Sequence, residues 1–273
     1  MDRPLVMGIL NVTPDSFSDG GRFSNPQTAI AAGRQMIADG ADIIDIGGES
    51  TRPNAHPVAP EEEIARIVPV IITLATEGAV ISADTRNAAT MAAALAAGAR
   101  IINDISGLKH DKRTAKILAG AACPVILMHM RGNPMTMNCQ AHYADLVEDV
   151  LTELTAIRDS AVAAGIAPGA IALDPGLGFA KIGHQNVTLL QATARFAAIG
   201  HPLLIGLSRK GFLGQLAGEP DPTRRLPASL AAGLYALSQG ANILRAHDVA
   251  ATVQAVKIWR ALTSTTPGSA KAS

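Results

Sequence analysis

The chain has 273 residues, 48% of them hydrophobic and only 3% aromatic, which is enough to bury one large aliphatic core. Lys+Arg and Asp+Glu balance at 23 each, which excludes the electrostatic footprint of a nucleic-acid or anionic-membrane binder. Cys123 and Cys139 are too few for a disulfide framework and lack metal-type spacing, so both read as reduced packing thiols.

Met1-Asp2-Arg3-Pro4 leads into a short apolar run that stops at Asn11. This is neither a secretory signal nor a spanning helix, and a cytoplasmic enzyme with no membrane or nucleic-acid partner is the expectation. From there short apolar runs alternate with longer Ala-rich helical patterns, the mark of repeated βα units and a parallel sheet. The runs predict strands over 5–10, 43–46, 79–83, 101–103, 125–128, 171–173, 203–207 and 243–245. Helices are predicted over 26–39, 60–76, 87–97, 112–120, 141–164, 186–198, 228–239 and 249–262. The first two open on proline, and Pro60-Glu61-Glu62-Glu63 places acids where the helix dipole favours them. The tail from Thr263 to Ser273, rich in Thr, Ser, Pro and Gly, is expected to be disordered, leaving residues 1–262 as one domain.

Several units share a pattern in which a glycine, followed by Ala, precedes a polar residue by five positions: Gly40…Asp45, Gly98…Asn103, Gly169…Asp174 and Gly240…Arg245. Glycine suits a helix C′ position, so the glycines have a structural explanation. The polar residues need another, because Asp, Asn and Arg at the ends of covered strands are costly to bury unless they share a polar cavity. Eight βα units that are polar at one end predict a TIM barrel with its active site at the C-terminal ends of the strands. A doubly wound open sheet is the alternative, but no strand is followed by the glycine fingerprint of a dinucleotide site.

The strand ends then give the candidate site: Asn11; Asp45 with Glu49-Ser50-Thr51-Arg52-Pro53; Asp84-Thr85-Arg86; Asn103-Asp104; His129 and Arg131; Asp174-Pro175-Gly176; Ser208-Arg209-Lys210; and Arg245-Ala246-His247-Asp248. Asp84, Asp174, Asn103 and Lys210 supply donors and acceptors suited to a flat, nitrogen-rich heterocycle. The cations Arg52, Arg245 and His247, aided by Asn11, suit phosphate oxygens. Asp45, Asp104 and Glu49 stay open between a site role and a structural one, satisfying loop N–H groups below the site.

Other segments imitate known motifs. Gly176-Leu177-Gly178-Phe179-Ala180-Lys181 looks like the start of a dinucleotide loop but carries Lys at the last glycine position, so it reads as a rim loop. Gly206-Leu207-Ser208-Arg209-Lys210 imitates a nucleophile elbow with Lys210 in place of the second glycine, and Ser208 reads as a packing or hydrogen-bonding residue. His56, His110, His142, His184 and His201 have no zinc-ligand spacing and read as surface or cap residues.

Met7-Gly8-Ile9-Leu10-Asn11-Val12-Thr13-Pro14-Asp15-Ser16-Phe17-Ser18-Asp19-Gly20-Gly21, Gly48-Glu49-Ser50-Thr51-Arg52-Pro53, Ile102-Asn103-Asp104-Ile105-Ser106-Gly107, Asp174-Pro175-Gly176-Leu177-Gly178-Phe179 and Ser208-Arg209-Lys210 resemble, in order, the signature segments of the dihydropteroate synthase family. The resemblance runs from Met7 to about His247. It implies a TIM-barrel transferase of folate synthesis that joins 6-hydroxymethyl-7,8-dihydropterin pyrophosphate to p-aminobenzoate and releases pyrophosphate. It also implies that Asp84, Asn103, Met128, Asp174 and Lys210 hold the pterin, and that Asn11 helps to bind Mg²⁺ and pyrophosphate alongside Arg52, Arg245 and His247. Phe17, Pro53 and Phe179 would wall the p-aminobenzoate pocket, with Thr51, Asp19 and Gly211 as further contacts. Sulfonamides would compete there, and a homodimer is expected.

On this reading the pterin methylene loses pyrophosphate to leave a cation delocalised into the ring, and the protein needs no covalent nucleophile. Asp174 would favour the cation and the phosphate-binding set would neutralise the leaving group. The loops over 12–25 and 48–60, rich in Gly, Pro, Ser and Asn, suit a lid. Three positions depart from the family pattern: Gly211 for the usual Ser, Ala246 for the usual Val, and Thr85-Arg86-Asn87 after Asp84. The alternative is a non-catalytic or methyltransferase-type pterin-binding barrel, which would need neither the phosphate-binding cations nor Thr51-Arg52-Pro53.

Overall fold

Eight apolar runs pair as parallel strands: β1 (Leu5–Asn11), β2 (Ile43–Gly47), β3 (Ile81–Asp84), β4 (Ile101–Asp104), β5 (Val125–Met128), β6 (Ile171–Asp174), β7 (Leu204–Gly206) and β8 (Ile243–Ala246). Neighbours run β6-β5-β4-β3-β2-β1-β8-β7, and a parallel bridge between Leu173 and Leu203 joins the two ends. The sheet thus closes into the expected barrel, and the open doubly wound alternative is excluded. The computed structural model describes residues 3–13 and 26–263. Phe17, Asp19 and the tail beyond Thr263 lie outside the described residues.

Around the barrel lie α1 (Pro26–Ala38), α2 (Pro60–Thr76), α3 (Ala88–Ala96), α4 (Thr114–Ala121), α5 (Leu146–Ala163), α6 (Gln185–Gln191), α7 (Thr193–Ala197), α8 (Gly211–Ala217), α9 (Leu226–Ser238) and α10 (Val249–Thr263). They pack on the outward side of the strands. In α2 the residues Ile67, Ile71 and Leu74, spaced at helical period, are fully buried, and each such side chain contributes ~1.5–3 kcal/mol.

Strand parity places the site. Met7, Ile43, Ile126, Leu204 and Ile243 cluster inside the barrel, with Leu5, Val80, Ile101 and Ala172 packed against them. Their neighbours Val6, Ile44, Ile102, Val125, Leu203 and Leu244 belong to the outer layer under the helices. Side chains alternate with period two, so the next inward positions are Asp45, Asn103, Met128, Asp174, Gly206 and Arg245, with Asp84 two beyond Ser82 on β3. An apolar plug therefore carries a polar floor.

Most boundaries fall within two residues of where the sequence places them, with informative exceptions. Strands β1, β2, β3, β4, β6 and β8 each run one residue past the predicted end, so Asn11, Asp84 and Asp174 are strand residues rather than loop residues. Gly40, Gly98 and Gly240 close helices with φ of 95°, 109° and 98°, as a C′ glycine does. Gly169 does not; it lies in a short 3₁₀ turn, and Gly165 (φ 98°) follows the end of α5 instead. Helix α5 starts later than predicted because Asp145 caps it, accepting the Val147 and Glu148 N–H groups. The helix predicted over 186–198 is two helices, α6 and α7, and the segment after Lys210 forms the short helix α8. Cys123 is buried, as a packing thiol is, whereas Cys139 is exposed.

Candidate active site

The register sets Asp84 beside Asn103 on β4 and beside Gly47 on β2, with Asp45 two residues below Gly47. Arg245 crosses from β8, where its Nε donates to Asp45 Oδ2 at 2.6 Å and its Nη2 to Asp84 Oδ2 at 2.7 Å. The Asn103 carboxamide donates to the same Asp45 oxygen at 2.9 Å. Burial pushes the Asp84 carboxyl up, against the pull of Arg245, and nearby Asp45 adds to the push. Burial also works against charge on Arg245, but Asp45 and Asp84 outweigh it and the guanidinium stays firmly cationic. The arginine expected to meet phosphate is thus largely committed to the floor, with Nη1 outside these bonds. Asp45, fully buried, is a floor residue on the same terms as Asn103.

Asp174 and Lys210 form the opposite wall. Asp174 Oδ1 accepts the Gly176 N–H at 2.7 Å. Burial raises its pKa, while that N–H, Lys210, Lys181 and Arg245 hold it down. Lys210 Nζ donates to the Leu177 carbonyl at 2.8 Å and lies 4.5 Å from the Phe179 ring centroid, a cation–π contact. Burial lowers its pKa to about 8, against the pull of Asp174, with Arg245 adding to the drop.

The turn that aims Lys210 is held from several sides. Arg209 has φ +60°, a left-handed conformation that costs a residue with a side chain ~1–3 kcal/mol unless its surroundings fix it. Here its Nε and Nη2 donate to Asp248 at 3.0 and 2.6 Å, its N–H donates to Ser229 Oγ, and its carbonyl accepts from Arg225 Nη1. Ser208 is the hydrogen-bonding residue expected: its Oγ accepts the His247 N–H at 3.1 Å and sits 3.0 Å from His247 Nδ1. Burial, then Arg209 and Arg245, lower the His247 pKa to about 4. At neutral pH the ring is therefore a neutral donor rather than the cation expected.

Met128 ends β5 opposite Asp174 and packs with Ile105, Met130, Met137 and Ala180, with Phe179 against them. Asn11 ends β1 beside Gly47. Gly211 opens α8 with open space where a Cβ would stand. Thr51 is half-buried, and Arg52 and Pro53 are exposed on the loop after β2. That loop is tethered at three points. Gly48 O accepts from Arg66 Nη1 at 2.6 Å, and the Asn54 N–H donates to Pro134 O at 3.0 Å. Glu49, a third anchor, accepts from Arg86 through two bonds of 2.8 and 2.9 Å and from the Val58 N–H at 3.0 Å. Arg86 and Asp45 escaped a firm assignment in the sequence; the glycine-to-polar spacing shared by Asp45, Asn103, Asp174 and Arg245 was the signal for Asp45. Asp104 takes the structural of its two roles, accepting from Ser106 and from the Leu108 N–H.

The model of the pterin binding enzyme family matches residues 7–247. The dihydropteroate synthase of Neisseria meningitidis serogroup C is 48% identical over 265 residues, covering 96% of this chain and 94% of that protein. Among solved structures, Xanthomonas albilineans dihydropteroate synthase with 4-aminobenzoic acid superposes with a TM-score of 0.91 at 44% identity, over 97% of this chain and 95% of the other. The Yersinia pestis dihydropteroate synthase in a sulfonamide drug complex gives 0.90 at 44% identity, over 95% and 94% of the two chains. Likeness at this identity over nearly the whole of each chain reaches every strand end that builds the polar floor. The chain belongs to the pterin binding enzymes and, within them, to the dihydropteroate synthase family.

Proposed function

We propose that the chain condenses 6-hydroxymethyl-7,8-dihydropterin pyrophosphate with p-aminobenzoate to give 7,8-dihydropteroate and pyrophosphate. The observation that carries the reading is the polar floor, in which buried Asp84, Asn103 and Asp174 and half-buried Lys210 converge with Arg245 above an apolar plug. A flat pterin offers donors and acceptors along one edge, and each charge-assisted hydrogen bond in such a pocket contributes ~1.5–3 kcal/mol. Asp45 Oδ1, buried and without a hydrogen-bond partner among the described residues, adds one more acceptor for a ring N–H.

The floor also suits the chemistry. As the methylene–oxygen bond breaks, positive charge spreads into the pterin ring, and the Asp174 carboxylate, fixed by the Gly176 N–H, is organised to stabilise it. Phe179 and Pro53 border the approach of p-aminobenzoate, with Thr51 as a polar contact and the Gly211 N–H at the start of α8 for its carboxylate. The leaving diphosphate falls to Arg52, to Asn11, to the neutral His247 and to Nη1 of Arg245. Among the described residues no three His, Cys, Asp or Glu side chains gather to hold a cation, and Asn11 contributes one neutral oxygen. This donor set fits Mg²⁺ carried mainly by diphosphate oxygens, where the ion would neutralise the leaving group.

The reading includes a cytoplasmic location and a homodimer, the latter supported by exposed Tyr235 on α9 and Ile258 and Leu262 on α10. Sulfonamides, which present an aniline and an acidic end, compete with p-aminobenzoate. The test is pyrophosphate release on mixing the pterin diphosphate, p-aminobenzoate and Mg²⁺ with the chain. Release that requires p-aminobenzoate and matches dihydropteroate formed is expected; binding of the pterin without turnover would leave only a pterin-binding protein.

A further inference from the structure

Lys181 is a buried ammonium with no part in the proposed reaction. It is 3% exposed, and its Nζ donates to His129 O at 3.0 Å, to Pro175 O at 2.8 Å and to His129 Nδ1 at 2.7 Å. Three donors meet three acceptors, which is the full complement of a charged lysine. An ammonium has no lone pair, so His129 Nδ1 must be the acceptor and the ring proton must sit on Nε2. Nε2 faces Glu153 Oε2 at 2.9 Å, a carboxylate that accepts it, and Arg131 Nε closes the series on Glu153 at 2.9 Å. Each group therefore fixes the protonation of the next, from Arg131 inward to Lys181.

The inner end of this series is the segment that carries Asp174. Pro175 O is held by Lys181, the His129 N–H donates to Asp174 O at 2.9 Å, and the Gly176 N–H donates to the Asp174 carboxylate. Gly176 has φ +71°, and a Cβ there would overlap the His129 carbonyl and lie 3.2 Å from Lys181 Nζ. The turn thus exists only in the form that Lys181 and His129 permit. From its buried position the ammonium also faces Asp174 electrostatically.

Resting on the reading of Asp174 above, we infer that Lys181 is a positioning residue for Asp174, held charged by His129 and Glu153, which both fixes the Asp174-Pro175-Gly176 turn and keeps the carboxylate ionised. The charged groups that face Asp174 are Lys210, Lys181 and Arg245; those that face Lys181 are Asp174, Glu153, Lys210 and Arg131. Burial, with Lys210 and Arg131 adding to it, pushes Lys181 well below the usual lysine range even against the pull of Asp174 and Glu153. The three satisfied donors decide for the charged form.

The test is the pH profile of kcat/KM for the pterin diphosphate, which reports groups of the free enzyme. In Lys181→Met, the loss of a nearby cation should move the acid limb upward by roughly one pH unit. The rate at its optimum should fall about ten-fold or more, with KM for p-aminobenzoate within about two-fold of wild type. A purely structural lysine would lower thermal stability and leave the limb in place, and that result would overturn the inference. If Lys181→Met fails to fold, Lys181→Gln, which keeps a donor and loses the charge, carries the same expectation. Independently, ¹⁵N NMR of the wild-type histidines should show His129 as the neutral Nε2–H tautomer at pH 7; a proton on Nδ1 would also overturn it. Failure of wild type to release pyrophosphate would count against the proposed reaction instead, and leaves the NMR result to judge the charge on Lys181.

Discussion

The substitution Arg86→Met would test how the loop bearing Thr51-Arg52-Pro53 is held. Arg86 and Glu49 have side chains only 8% and 5% exposed, so the pair is shielded from water and salt. Removing the guanidinium deletes two charge-assisted bonds, at ~1.5–3 kcal/mol each, and leaves a buried carboxylate whose only other bond among the described residues is from the Val58 N–H. Breaking a buried pair from one side generally costs ~3–5 kcal/mol, so the two routes agree on about 4 kcal/mol. In a chain of this size that lowers Tm by roughly 10 °C. The double variant Glu49→Met/Arg86→Met, which buries no lone charge, should recover much of the loss, short of the ~1–3 kcal/mol for the orphaned Val58 N–H. Thermal unfolding measures these effects, and steady-state kinetics should show KM for p-aminobenzoate raised several-fold with KM for the pterin diphosphate unchanged. If Arg86→Met unfolds within a degree or two of wild type, the pair is not the anchor described.

Other substitutions separate the two walls of the site. Lys210→Met should fold normally and lose ~1.5–3 kcal/mol of transition-state stabilisation, one to two decades in kcat/KM for the pterin diphosphate. In wild type that parameter should decline as pH rises through about 8, where the Lys210 ammonium is lost, and Lys210→Met should lack this limb. Gly211 has open space at its Cβ and no left-handed φ, so Gly211→Ser should add a hydroxyl without strain and lower KM for p-aminobenzoate several-fold. Aniline, which lacks the carboxylate, should show no such gain. Acid should weaken the fold through His129 and His247. The pKa values of His129 and His247 fall to about 4, so between pH 6.5 and 4 the unfolded chain binds protons that the folded chain refuses, and stability drops as pH falls through that window. The raised carboxyls Asp84 and Asp174 act in the opposite sense, so the rings are read directly: NMR titration of the folded chain should show both imidazoles still neutral at pH 5.5, and midpoints near the ordinary histidine value would refute the shift.

The barrel was legible because it rests on short-range signals. Alternation of apolar runs with Ala-rich helices, and glycines such as Gly40 and Gly98 that stop a helix before a strand, are set by local sterics and hydrophobic period. The inward direction of Asp84, Asn103, Asp174 and Arg245 follows from period two once the plug residues are known. What the sequence could not show is which polar groups spend their charge on one another. Arg245 reads as a phosphate ligand until Asp45 and Asp84, distant in sequence, are seen to occupy two of its nitrogens. His247 reads as a cation until burial and Arg209 are seen beside it. Lys181 looked like a misfit in a glycine motif, because its three acceptors come from two different strand ends. Pairwise contacts across a barrel carry no local signature, and those contacts decide protonation.

The central claim is that a buried carboxylate stabilises positive charge on the pterin ring as pyrophosphate departs, and single-turnover pyrophosphate release by Asp174→Asn tests it most directly. The substitution keeps the shape and the bond from the Gly176 N–H but removes the charge. The account predicts a rate constant reduced by more than the one to two decades expected for Lys210→Met, with native thermal stability and with pterin diphosphate still bound. A single-turnover rate equal to wild type, in a folded variant that binds its substrate, would contradict it.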